Sequence, residues 1–182
     1  MLQIYVPGID GWDEAKEEFV PVVPGTNIVL EHSLISISKW ESKWHKAFLG
    51  KDQKTPEQIV DYIKCMTITP NIKAEVYDRL TRENIDQVMA YIEDPMTATT
   101  INDKSGGRRM SREVVTSELV YYWMVALEIP FECQKWHINR LMMLIQICNI
   151  KNQPDKKMSK RNTAQQNAML NASRRHQSHS RG

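Results

Sequence analysis

The segment Leu119 to Leu127 (LVYYWMVAL) narrows the fold more than any other part of the sequence. Its nine side chains are apolar apart from two tyrosine hydroxyls, and Glu118 and Glu128 close it on either side. A bilayer crossing needs roughly 20 such residues, so the run predicts a helix central to a fold or an interface rather than a membrane span. Ser111 offers an N-cap and Pro130 a stop, which sets the helix at about 111–128. The next segment, ECQKWHINRLMMLIQICNI, places Ile138, Leu141, Ile145 and Cys148 along one helical seam. Two apolar helices joined by a short connection predict an antiparallel hairpin, 111–128 against 132–149, at the centre of the core.

The first third reads differently. Leu2–Val6 alternates apolar and polar residues up to Pro7-Gly8, which predicts a short strand and a turn. Residues 10–18 are acidic and read as a surface turn or a helical turn, and Pro21, Pro24 and Gly25 as a loop. Ile28, Leu30, then Leu34 or Ile35 and Ile37, suit one strand or two short ones. Trp40, Trp44 and Phe48 recur every four residues, a helical spacing that Gly50 ends. These aromatics fit a helix packed on a sheet better than a ligand cage.

Two helix starts are strongly marked. Thr55 can cap, Pro56 fits the first helical position, and Gln58 can complete a capping box ahead of Ile59, Tyr62, Ile63 and Met66. Thr81 opens another helix carrying Ile85, Val88, Met89 and Ile92, and Asp94-Pro95 ends it. Residues 96–110 predict a strand leading into a turn. Gly106-Gly107-Arg108-Arg109 lacks the spacing of a phosphate-binding loop and reads as a surface turn. The expected fold is therefore α+β and mostly helical, with short N-terminal strands and a helical core around a central apolar helical hairpin.

The charge is divided unevenly. Residues 1–150 carry 16 Lys and Arg against 21 Asp and Glu, whereas residues 151–182 carry 8 against 1. A chain of 182 residues suits one well-buried domain, expected at 1–150 with a basic tail at 151–182, partly helical or disordered. Lys156, Lys157, Lys160, Arg161, Arg174 and Arg175 carry most of the tail's charge and are the expected partner-binding residues, with Met169 and Leu170 as its apolar anchors. The tail can dock on an acidic partner or on the acidic body. Phosphate binding is the alternative for such charge. However, the body lacks a basic face and no aromatic interleaves the tail's arginines, so nucleic acid is disfavoured.

No motif supports catalysis, a metal or a bound cofactor. Cys133 and His137 are four apart on the expected helix, but two ligands do not make a zinc site. Gly-x-Ser-x-Gly and Gly-x-Gly-x-x-Gly are absent. Cys65, Cys133 and Cys148 lie within apolar helical patterns, which raises thiol pKa values and fits a reducing compartment. The N-terminus has no basic region followed by an apolar stretch, so no secretory signal is expected. The chain is read as a non-enzymatic protein-binding molecule without cofactor or membrane partner.

Ser111-Arg-Glu-Val-Val-Thr-Ser-Glu-Leu-Val-Tyr-Tyr-Trp-Met124, then Ile129-Pro130-Phe131 and Trp136-His137-Ile138-Asn139-Arg140-Leu141, form a recurring kind of pattern. With the following Lys-Lys-Met-Ser and the Asn-Ala-x-x-Asn-Ala-Ser-Arg-Arg ending, it resembles the tail assembly chaperones of long-tailed bacteriophages over roughly residues 95–175. The resemblance implies a non-structural helper in the host cell cytoplasm. Such a helper coats the helix-rich tape measure protein until tail tube subunits polymerise around it. It also implies many copies, and hence a homo-oligomer. The other classes that fit are a virion structural protein of the tail or head–tail junction and a small nucleic-acid-binding regulator.

Overall fold

The computed structural model describes residues 1–101, 114–152, 167–171 and 173–174. They fall into two units, Met1–Cys148 and Asn149–Gly182. The first is an α+β body in which β1 (Leu2–Val6) pairs antiparallel with β4 (Thr26–Leu30), matching Ile4 to Ile28 and Leu2 to Leu30. The alternation seen in β1 puts Ile4 and Val6 on the buried face, opposite Ile28 and Leu30 of β4, and leaves Gln3 and Tyr5 exposed. A second antiparallel ribbon, β2 (Ile9–Asp13) with β3 (Glu18–Val23), is inserted between them.

This ribbon corrects two expectations. Of the acidic stretch 10–18, residues 14–17 form the expected surface turn, but as the tip of a hairpin whose strands take up the rest, not as a helical turn. Glu17 takes a left-handed φ of 52° there, and the Asp13 carboxylate accepts from the Ala15 amide at 3.0 Å. Pro21 stands inside β3 instead of marking a loop, which a two-stranded ribbon permits because both strands are edges. At the ribbon's base the backbones approach closely: a Cβ on Gly8 would lie 2.2 Å from the Val23 carbonyl oxygen.

The segment after β4 is helix. Ser33 caps α1 (Leu34–Trp44), so Leu34, Ile35 and Ile37 are helical although their types favour strands. Leu34, Ile37, Trp40 and Glu41 form its buried face. The helix ends at His45, which takes a left-handed φ of 51°, five residues before Gly50. Phe48 thus lies beyond the helix. The Thr55–Gln58 capping box opens α2 (Pro56–Met66) as expected. It packs along α1, with the Trp40 indole N–H donating to the Gln58 carbonyl at 3.0 Å. Asp61 receives the Trp44 indole N–H at 2.8 Å and pairs with Lys43.

A short α3 (Ala74–Tyr77) precedes α4 (Arg82–Glu93), which Thr81 and Asn84 cap reciprocally and which ends at Asp94. The start of α4 is tied to the sheet: the Asn84 amide donates to the Tyr5 carbonyl at 3.1 Å, and the Arg79 guanidinium to that of Pro7 at 2.9 Å. Residues 95–101 are irregular, so no strand forms there. The glycine-arginine turn at 106–109 lies outside the described residues, as does Ser111.

The expected central apolar helical hairpin does not form among the described residues: the fold is α+β and rich in helix, and its core joins β1 and β4 with residues from every helix of the body rather than centring on two of them. The apolar run forms α5 (Ser117–Ala126), capped by Thr116. Glu128 then turns left-handed at φ 54°, and Phe131–Lys135 forms a 3-10 helix. Both α5 and this 3-10 helix rest on α1 rather than on α6 (Ile138–Lys151). Backbone pairing far along the chain is the cause. His137 bridges to Ser33, and the Ile138 amide donates to the His32 carbonyl at 2.7 Å. The Asn139 side chain adds to this pairing, its Nδ2 donating to the carbonyls of Ile92 and Asp94 at 3.0 and 2.7 Å. These contacts fix the start of α6 to the β4–α1 junction and the end of α4, which breaks the expected 132–149 helix in two.

Candidate functional site

Of the six expected partner-binding residues, Lys156, Lys157, Lys160, Arg161 and Arg175 lie outside the described residues. Arg174 is exposed and helical, and Met169 and Leu170 are exposed on the helix at 167–171.

Two features of the body carry chemistry instead. The first is the outer face of α5. Val120 and Met124, four apart, are fully buried, and Ser117 is buried at the start of the helix. Its N-terminus is seated by Glu41, a buried carboxylate on α1. One Glu41 oxygen accepts from the Ser117 amide at 2.7 Å and the other from the Phe48 amide at 2.8 Å. Tyr121 and Trp123 flank this stripe half-buried against the core, and the opposite side of the helix faces outward. Tyr122 is 65% exposed, Val125 61% and the neighbouring Phe131 53%. Tyr121 is held by a 3.0 Å hydrogen bond from its hydroxyl to the Gln134 side chain.

The second is a cleft of about 520 Å³ among α2, α4 and the loop after α1, with His32 and Asn139 among its lining residues. Phe48 organises it. Its ring stacks on Tyr62 at 3.8 Å between centroids and meets Trp40 edge-on at 5.2 Å. Lys54 lies over it, Nζ 4.4 Å from the centroid. Burial lowers the Lys54 pKa, against the attraction of Asp52. Behind Phe48, the rings of His32 and His137 meet edge-to-face at 4.9 Å. His32 Nδ1 is hydrogen-bonded to the Tyr62 hydroxyl at 2.5 Å, and His137 Nε2 to the Tyr91 carbonyl at 3.0 Å. Burial, then the neighbouring His137, pushes the His32 pKa down to about 3. His137 is also lowered, again by burial first, against its hydrogen bond to Tyr91.

Cys133 is buried in the 3-10 helix and His137 is turned into the histidine pair, so the two do not share a helical turn. Among the described residues no three His, Cys, Asp or Glu side chains are grouped to hold a metal, and no helix is long and apolar enough to cross a membrane. Burial raises the Cys65 and Cys133 thiols, the direction opposite to that of an activated nucleophile.

Glu41, His32 and Lys54 were missed in the sequence. Glu41 had a signal, since it follows Ile37 by four residues and so places a carboxylate on the apolar face of α1. His32 and Lys54 had none, because their ring contacts, Tyr62 and His137 for His32, Trp40 for Lys54 and Phe48 for both, are brought in by the fold. No family model, curated protein or solved structure matches the chain.

Proposed function

We propose that the chain is a non-enzymatic tail assembly chaperone of a long-tailed bacteriophage. It works in the host cell cytoplasm by binding the tape measure protein before tail tube subunits assemble around it. The observation that carries this reading is the outer face of α5, where Tyr122 and Val125 stand exposed in the most apolar part of the chain, beside the exposed Phe131 of the following 3-10 helix. Exposed apolar side chains grouped on a helix mark a candidate interaction face. A helix that presents aromatic and aliphatic side chains in this way suits the apolar stripe of another amphipathic helix, the structure expected of a tape measure protein. The same segment lies within the part of the sequence that resembles the chaperone family.

The test is co-expression of the full chain with the tape measure protein from the same phage genome, followed by affinity capture. The unaltered chain is expected to retain it. A Tyr122→Asp, Val125→Asp double variant with unchanged circular dichroism is expected to lose it. Retention by the double variant, or failure of the unaltered chain to capture the protein, overturns the proposal.

A further inference from the structure

The cleft behind α2 contains a donor without an acceptor. His32 is 2% exposed and lines the cleft, and Tyr62 beside it is equally buried. Among the described residues, the Tyr62 hydroxyl has His32 Nδ1 as its hydrogen-bond partner and no other. If Nδ1 carried the ring proton, the buried phenol O–H would have no acceptor. The phenol therefore donates to Nδ1, and the neutral ring carries its proton on Nε2. Nε2 has no hydrogen-bond partner among the described residues. No buried side-chain nitrogen or oxygen there is sealed from solvent without a partner, so the Nε2–H opens into the cleft.

Lys54 supplies the matching charge. It forms no ion pair among the described residues, and its ammonium lies partly desolvated against Phe48, the ring that also touches His32. Most of the remaining wall, including Ile59, Ile63, Val88 and Met89, is apolar; Gln53 and Asn139 are neutral polar residues in it, and the Asn139 side-chain N–H groups are taken by the Ile92 and Asp94 carbonyls. A mainly apolar cleft of about 520 Å³ lined by a few polar groups, His32 and Lys54 among them, has the anatomy of a small-molecule site.

We propose that this cleft binds a monocarboxylate with an apolar chain. The carboxylate accepts from the His32 Nε2–H and balances the charge of Lys54, and the chain lies along α2 and α4. A carboxylate is the group that satisfies both, since an alcohol leaves Lys54 with only the attraction of Asp52, with which it forms no ion pair, and an amine repels it. This binding does not depend on the α5 face or on the proposed tape measure partner.

Decanoate, used below its micellar concentration, is the probe, with decanol and decylamine as chain-matched controls. Calorimetry on the full chain is expected to show one decanoate site. Decanol should bind about tenfold more weakly, as loss of a charge-assisted contact implies. Lys54→Met, which changes a side chain at the rim, should weaken decanoate by a similar factor and leave decanol unchanged. Met89→Trp should block both ligands by filling the cleft. Long-range ¹H–¹⁵N spectra should show His32 as the Nε2–H tautomer, with its Nε2 resonance moving when decanoate is added. The proposal is overturned by any of three results: no saturable decanoate binding, decylamine binding as tightly as decanoate, or an Nδ1–H tautomer at His32.

Discussion

Glu41 and His32 are both buried polar side chains of the body, and they answer to pH and substitution differently. Glu41 gives each carboxylate oxygen one backbone N–H, from Phe48 and Ser117, and so joins the α1 exit loop and the start of α5 to one side chain. Replacing it with alanine leaves two buried donors unsatisfied, and Glu41→Ala is expected to cost about 2–4 kcal/mol in urea unfolding. Faster hydrogen exchange at Ser117 and Phe48 should accompany the loss. A cost within about 0.5 kcal/mol, the range of an ordinary surface change, would show that the clasp holds nothing. His32 acts through its proton. Tyr62 and His137 face it, while Glu31, Asp94 and the Met1 amine act on His137. With a folded pKa of about 3 against an ordinary 6.5, the unfolded chain binds the proton more readily than the folded one. Stability is then complete above pH about 6.5 and falls as pH drops toward 3, by up to about 1.4 kcal/mol per pH unit for this group. His137, also lowered, adds to the loss. Urea midpoints measured from pH 7 to 4 should show this slope, and His32→Asn should flatten it.

Periodicity and capping fixed α2 and α4 in advance, because Thr55, Pro56 and Thr81 act within one turn of their own position. Of their expected faces, Tyr62, Ile63, Met66 and Val88 are buried, whereas Met89 is exposed and Tyr91, not expected there, is buried. Pairing between distant segments was not. Nothing near Ser33 indicates that it will bridge to His137, and nothing near Asn139 indicates that its amide will hold two carbonyls at the end of α4. Those contacts replaced the apolar hairpin with two separate attachments, α5 on α1 and α6 on the strand–helix junction. The α5 face shows the same limit: sequence showed how apolar the run is, whereas the side left uncovered depended on how narrow a stripe α1 could accept. Substitutions in α6 and just before it read this geometry out. Leu141 is fully buried and Trp136 only half-buried, its ring under the Arg140 guanidinium at 4.5 Å. Leu141→Ala is expected to cost about 2–5 kcal/mol and Trp136→Ala clearly less, because less of the indole leaves water on folding. Equal costs in chemical denaturation would mean that Trp136 packs more deeply than it does here.

An acidic body, 16 basic against 21 acidic residues in 1–150, is joined to a segment with 8 against 1. On the chaperone reading these two halves divide the work of binding by physical type. The α5 face offers apolar contact, which salt scarcely weakens, whereas the basic tail acts as an arm that steers an acidic partner and is screened as ionic strength rises. The two contributions separate in one set of capture measurements. Removing residues 151–182 is expected to weaken tape measure capture at low salt and to leave a residual affinity that hardly changes between about 50 and 300 mM salt, where screening lengths fall below about 10 Å. The Tyr122→Asp, Val125→Asp variant should retain the salt dependence but at much lower affinity, and combining it with the truncation should abolish capture. DNA retention measured on the same proteins tests the tail against its other reading, since phosphate binding would show a similar salt trend. If truncation removes DNA retention and leaves tape measure capture intact at every salt concentration, the tail belongs to nucleic acid and only the α5 face to the protein partner.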